Sequence, residues 1–225
     1  MSARTDCTAV VVAAGAARRM QGIDKILEPL CGIPVIVRTV SALEASGEFD
    51  RLVLVTRPDL FEKLQALLGS RVLLVAGGDS RAESVQNGLS HVVTAYAAIH
   101  DGARPLISAD VISEAVAAAK RYGAAAPAIP VTDTVKVAQA AVVTETPDRK
   151  TLFAVQTPQV FRTELIRSAL EKALTSGLPL TDDCSAVEAT GYPVRLTAGS
   201  PENIKLTAPV DFALAEAIIK WRERS

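Results

Sequence analysis

Val10-Val11-Val12-Ala13-Ala14-Gly15-Ala16-Ala17-Arg18-Arg19-Met20 is the stretch on which the fold turns. A β-branched run passes directly into small residues and then into two arginines, and Lys25 follows shortly after. An unbroken apolar run of this length suits a strand covered on both faces of a parallel sheet, where neither face needs polar residues. Small side chains just beyond such a strand let the backbone approach a ligand and aim its N–H groups at anionic oxygens. Arg19 and Lys25 would add fixed positive charge to the same loop. A tight strand-to-loop junction carrying solvated arginines accounts for the same letters equally well. The stretch matches neither the P-loop pattern of ATP hydrolases nor the GxGxxG dinucleotide fingerprint.

Working outward, further runs of strand length lie at 51–56, 71–76 and 97–100. They alternate with helix-period segments at 34–46, 58–68, 80–96 and 109–122, two of which open on prolines suited to a first helical turn. Repeated β–α–β units with short connections predict an α/β chain with one doubly wound, mostly parallel open sheet. In that architecture ligands bind beyond the carboxyl ends of the strands. The period changes after Gly123. A strand at 124–131 is followed by alternating segments at 134–138 and 141–144, a turn at Thr146-Pro147-Asp148 and a returning strand at 152–155. This stretch, about 130–155, has little apolar area for its length and reads as a protruding β-arm that packs against something outside its own domain. Helices at 162–176, 181–189 and 208–222 and a strand at 193–197 complete one domain spanning 1–225. Leu214, Ile218 and Trp221 are expected on the packing face of the last helix.

Composition narrows the function classes. The 225 residues are 49% hydrophobic, enough for a sizeable core without disulfide or metal staples. Twenty-four basic and 25 acidic side chains give a formal net charge of −1, without the basic excess of a nucleic-acid binder. The three cysteines are scattered, and two histidines leave little material for a Cys/His zinc site. The apolar stretch at 9–17 falls well short of the roughly 18 residues a membrane span needs. Asp6 and the Arg18-Arg19 pair do not suit a secretory leader. A soluble, cytoplasmic chain with no nucleic-acid or membrane partner is expected.

Two more clusters follow predicted strands. In Ala76-Gly77-Gly78-Asp79-Ser80-Arg81 the glycines permit close backbone contact, and Asp79 or Ser80 can cap the next helix, with Ser84 a turn inside it. In His100-Asp101-Gly102-Ala103-Arg104-Pro105 the carboxylate at a strand end is placed to hold Mg²⁺. Each alone reads more simply as a turn. Three such clusters at the carboxyl ends of parallel strands converge on one crevice, and the convergence favours a ligand site.

With these motifs in place, the chain resembles the 2-C-methyl-D-erythritol 4-phosphate cytidylyltransferases of the non-mevalonate isoprenoid pathway. The resemblance runs nearly end to end. Beyond the three clusters it includes Asp133-Thr134-Val135-Lys136, Gln156-Thr157-Pro158-Gln159, Thr181-Asp182-Asp183 and Asn203-Ile204-Lys205-Leu206-Thr207. It implies a Rossmann-like nucleotidyltransferase fold and transfer of a cytidylyl group from CTP to 2-C-methyl-D-erythritol 4-phosphate with release of pyrophosphate. It implies that Ala13, Ala14, Gly15, Gly78, Asp79 and Ser84 bind the nucleotide, and that Arg19, Lys25 and Lys205 surround the triphosphate as catalytic residues. Asp101 would hold a divalent cation, Mg²⁺ or another, and with Arg104, Thr134, Arg149, Thr157 and Thr181 would bind the sugar phosphate. Thr134 and Arg149 lie on the arm, which in the family reaches into the neighbouring subunit, so a homodimer follows.

The sequence departs from the family pattern in places. Ala17 stands where a second glycine is usual, and Asp24-Lys25-Ile26-Leu27 stands where a proline precedes the lysine; Asp24 is positioned in sequence to tune or partly neutralise Lys25. Cys184 replaces a small residue and is expected to be a buried apolar one. Transfer to ribitol 5-phosphate or another alditol phosphate, and a nucleotide-binding module without turnover, are the competing readings. His100 is expected to steady its strand end, and His91 to sit on a helix surface.

Overall fold

A computed structural model describes residues 5–15 and 24–224. Arg19, and with it Ala17 and Arg18, lies outside the described residues. Chain order is β1 (Cys7–Val12), the short β2 (Pro29–Leu30) and β3 (Ile33–Pro34), α1 (Val35–Ala45), β4 (Arg51–Thr56), α2 (Phe61–Leu68), β5 (Leu73–Ala76), α3 (Arg81–Leu89), β6 (Tyr96–Asp101), α4 (Ala109–Tyr122) and β7 (Ala124–Pro130). There follow β8 (Val137–Gln139), β9 (Val142–Glu145), β10 (Phe153–Val155), β11 (Gln159–Arg162), α5 (Thr163–Ser176), α6 (Asp183–Glu188), β12 (Arg195–Ala198) and α7 (Pro209–Arg222).

The main sheet runs β10-β7-β11-β6-β1-β4-β5, with β12 also paired to β7. β1, β4, β5 and β6 are mutually parallel, whereas β11 and β10 run antiparallel to their neighbours. From β1 the chain winds outward through β4 to β5, then returns to β6 on the other side of β1. That reversal opens a crevice between the ends of β1 and β6, the place where doubly wound sheets bind ligands. The alternation of side chains along β1 explains the two covered faces. Ala9 and Val11 pack with Ile36, Val40 and Leu43 of α1 and with Ile112 and Val116 of α4. Val10 faces the opposite layer, made by Val85 and Leu89 of α3, Ile166 and Leu170 of α5 and Val187 of α6. A smaller cluster packs α7 on Leu30, Val35 and Leu206.

The structure corrects several expectations. The helix expected at 80–96 ends at Leu89, where Ser90 turns its hydroxyl to Asn87 O and His91 N donates to Gly88 O; His91 is therefore exposed on a turn. β11 was not foreseen. It is four residues long behind Pro158, yet its Gln159, Val160 and Phe161 are buried between β6 and β7. Of the face expected on α7, Ile218 packs against the small cluster beside the buried Ala215 and Ile219, whereas Leu214 and Trp221 are 51% and 58% exposed. The arm forms a hairpin of β8 and β9 paired with each other, and none of residues 131–155 is buried.

Candidate functional site

The three clusters singled out in the sequence do meet. Ala13 N donates to Val55 O at 2.8 Å, Gly77 N to Thr56 O at 2.9 Å and Gly102 N to Val12 O at 2.9 Å, so each loop is pinned to the end of a neighbouring strand. A methyl group on Gly77 would overlap that of Ala14, and one on Gly102 would lie 2.9 Å from the Ala13 methyl. Glycine at these two positions is what lets the loops close on one another. Ser80 caps α3 reciprocally with Glu83, its hydroxyl accepting from Glu83 N at 3.1 Å while the Glu83 carboxylate accepts from Ser80 N at 2.7 Å. The loops bound a crevice of about 600 Å³, within the range usual for small-molecule sites.

Ala13, Ala14, Gly15, Lys25, Gly78, Asp79, Ser84, Asp101 and Lys205 all line this crevice. Ser84 is buried, and its hydroxyl accepts from Gly78 N at 3.1 Å and donates to Ser80 O at 2.9 Å, so it shapes the Gly78 loop from beneath. Asp24 pairs with Arg57 at 2.6 Å, and Lys25 Nζ donates to Leu206 O at 3.3 Å.

Asp101 is the electrostatic centre. Its Oδ2 lies 3.0 Å from Lys205 Nζ and 3.2 Å from Arg104 Nε, and its Oδ1 lies 3.9 Å from Arg81 Nη2. Burial by itself would raise this carboxyl, but Lys205, Arg104 and Arg81 outweigh burial and hold it down at about 2. Arg81 is held in turn by both oxygens of Asp183, at 2.9 and 2.7 Å. Asp183 is buried at the start of α6, where Gln159 Oε1 accepts from the amides of Asp183 and Cys184 at 3.0 Å each. Arg81 and Asp183 stood inside quoted motifs but were not assigned to the site; a buried carboxylate that takes both arginine nitrogens is visible only in three dimensions.

His100 is buried beneath Asp101, and burial lowers its pKa to about 4. Its Nε2 lies 3.2 Å from Arg104 O, an acceptor, so Nε2 carries the proton and Nδ1 accepts from the Thr157 hydroxyl at 3.0 Å. Thr157 Oγ1 then accepts from Asp101 N at 3.1 Å. Both ring nitrogens are engaged, and His100 steadies the strand end as expected. Asn203 donates to Thr157 O at 3.0 Å and Gln156 Oε1 at 3.1 Å, and its carbonyl accepts from Arg104 Nη1 at 2.7 Å, which stitches the loop bearing Lys205 to the loop bearing Asp101.

The remaining expected contacts fall outside the crevice lining. Arg104 and Thr157 stand behind and beneath Asp101 as supports. Thr181 lines an adjoining groove on the far side of Arg81. Thr134 and Arg149 are exposed on the arm, with Arg149 Nη1 donating to Thr132 O at 2.8 Å. Cys184 is 3% exposed among apolar neighbours, with burial pushing its thiol pKa up, as suits an inert core residue.

A switch-point crevice bounded by small-residue loops and a carboxylate ringed by cations, on this sheet order, defines an α/β nucleotidyltransferase. The family model of 2-C-methyl-D-erythritol 4-phosphate cytidylyltransferase matches residues 7–221. The chain belongs to that family. It is 44% identical over 221 residues to the 2-C-methyl-D-erythritol 4-phosphate cytidylyltransferase of Geobacillus kaustophilus, covering 95% of this chain and 97% of the relative. Identity to the enzyme of the same name from Dehalococcoides mccartyi is 41%, covering 94% and 95%. Among solved structures, the 2-C-methyl-D-erythritol 4-phosphate cytidylyltransferase of Thermus thermophilus superposes with a TM-score of 0.81 at 30% identity, covering 94% of this chain and 98% of that one. The 4-diphosphocytidyl-2C-methyl-D-erythritol synthase of Anaerococcus prevotii superposes with a TM-score of 0.87 at 28% identity, covering 96% of each chain.

Proposed function

We propose that the crevice transfers a cytidylyl group from CTP to 2-C-methyl-D-erythritol 4-phosphate, giving 4-diphosphocytidyl-2-C-methyl-D-erythritol and pyrophosphate. The observation that carries this reading is the meeting, at the β1/β6 switch point, of the small-residue loop at 13–15 with the Asp101 cluster. A phosphate oxygen of the acceptor attacks the α-phosphorus in line, and the pyrophosphate oxygen leaves with the bonding electrons. A phosphate monoester is already anionic near neutral pH, so no general base is required, and His100, buried and doubly engaged, is not one. The barrier lies in bringing two polyanions together and stabilising charge on the transferring group. Lys25 and Lys205 meet that charge, the loop amides and Gly78 orient the nucleotide, and the role implied for Arg19 rests on the sequence resemblance alone.

A divalent cation fits this site in one manner only. Among the described residues there is no cluster of three His, Cys, Asp or Glu side chains, so they offer no preformed cage. Mg²⁺ commonly takes one or two carboxylates and completes its shell with substrate phosphates. Asp101 would be that carboxylate, and the ion would supply charge neutralisation on the triphosphate.

The arm supports a homodimer. Its exposed Val137, Val142 and Val143 and the flanking Phe153 need cover. In a swapped pair Thr134 and Arg149 would reach the acceptor bound to the other subunit. Among the described residues no helix is long and apolar enough to cross a membrane, in keeping with a cytoplasmic site of action. An alditol phosphate acceptor is not favoured by the relatives. The deciding assay is pyrophosphate release with CTP and Mg²⁺, comparing methylerythritol 4-phosphate with ribitol 5-phosphate. Release with the first alone is expected; release with the second alone would overturn the acceptor, and silence with both would overturn turnover itself.

A further inference from the structure

A carboxylate stands directly before Lys25 in sequence, and the fold commits it to an arginine from the end of a neighbouring strand. Asp24 Oδ2 accepts from Arg57 Nη2 at 2.6 Å. Arg57 stands just past β4, and its guanidinium also reaches Asp59, Nε to Oδ1 at 3.2 Å and Nη2 to Oδ2 at 3.3 Å. One guanidinium between two carboxylates leaves a net negative charge, so this trio does not draw a polyanion even though Arg57 lines the crevice. Its geometry is that of a strut. The turn bearing Lys25 closes through Leu27 N and Glu28 N to Asp24 O at 2.9 and 3.1 Å. On its far side the turn is pinned by Ile26, buried in the core, whose carbonyl accepts from Ile36 N at 2.9 Å. On its near side it reaches the sheet through Asp24 and Arg57.

We propose that the Asp24–Arg57 ion pair is a positioning device for Lys25. It fixes the turn so that the ammonium reaches Leu206 O on the loop that also bears Lys205. The inference rests on the role given to Lys25 in the reaction above.

The test combines Asp24→Asn and Arg57→Met, alone and together, in the native chain and in a Lys25→Ala chain. Displacing a reacting group by about 1 Å can cost up to about a hundredfold, so each single change is expected to lower kcat by about tenfold. The KM for CTP should move by less than about twofold, the signature of an interaction made chiefly in the transition state. The double variant should be no worse than the poorer single one, and in the Lys25→Ala chain neither change should lower kcat further. An unaltered kcat, or the same fall carried into the Lys25→Ala chain, would overturn the proposal. A second readout needs no turnover: acylation of Lys25 by acetic anhydride, followed by peptide mass spectrometry, should run about threefold faster in Asp24→Asn, the factor an ion pair of this exposure is worth. Unchanged acylation overturns the strut. Full turnover in Lys25→Ala with acylation still responding would leave the strut standing and remove Lys25 from the reaction.

Discussion

Asp101 holds its place through partners of opposite sign, one on its own turn, one at the start of α3 and one on the loop bearing Lys205, and two testable consequences follow at the scale of single residues. Asp101→Asn keeps the shape but strips the charge that organises Lys205, Arg104 and Arg81; turnover should fall by at least about a hundredfold, measured as pyrophosphate release. The cluster also sets a pH dependence. His100 has a folded pKa of about 4 against about 6.5 unfolded, so the unfolded chain binds the extra proton between those values. Stability should therefore decline as pH falls from 6.5 to 4, by up to about 3 kcal/mol. In His100→Gln, which can still donate to Arg104 O, that part of the slope should vanish in urea titrations across the window. Asp101 acts in a lower window: its folded value of about 2 lies below the unfolded value near 3.9, so its contribution is intact above pH 4 and is lost as pH falls towards 2.

At the scale of elements, the hairpin of the arm contains a local cost. Ala140 and Ala141 connect β8 to β9 with φ of +47° and +63°, a left-handed pair that suits a type I′ turn but disfavours alanine by about 1–2 kcal/mol per residue. Ala140→Asn with Ala141→Gly should slow hydrogen exchange at the β8 and β9 amides by about tenfold or more; unchanged exchange would show that the turn does not limit arm opening. Sequence pattern made this hairpin legible to within a few residues, as it did β1, β4, α1 and α4, because alternation and amphipathic period survive wherever an element has a clear inner face. It failed at β11, where four residues behind a proline carry too short a pattern, and at the end of α3, where Val92 and Val93 extend an apolar period the backbone has already left. For the site, the loops at 13–15, 77–81 and 100–105 were readable from their small residues. The ties of Arg81 to Asp183 and of Arg57 to Asp24 were not, since each joins positions far apart in sequence by charge alone.

At the scale of the whole molecule, the arm exchange proposed above predicts complementation between defective chains. Lys25→Ala chains keep their arm, and Arg149→Ala chains keep their crevice; mixed one to one and re-associated, they should regain about a quarter of native activity, because half the dimers are hybrids with one complete site each. No recovery in hybrids confirmed by mass would overturn the exchange of arms. Val142→Glu with Val143→Glu should shift the sedimentation coefficient to that of a monomer and leave the melting transition of the sheet little changed. The arm that makes these experiments practicable has no residue in the interior between 131 and 155. Its sequence is thus released from packing within its own subunit and is held instead by what its exposed valines meet outside it. Transplanting this stretch from a relative would disturb no packing inside the subunit and, on the roles proposed for Thr134 and Arg149, would separate the choice of acceptor from the machinery that grips the nucleotide.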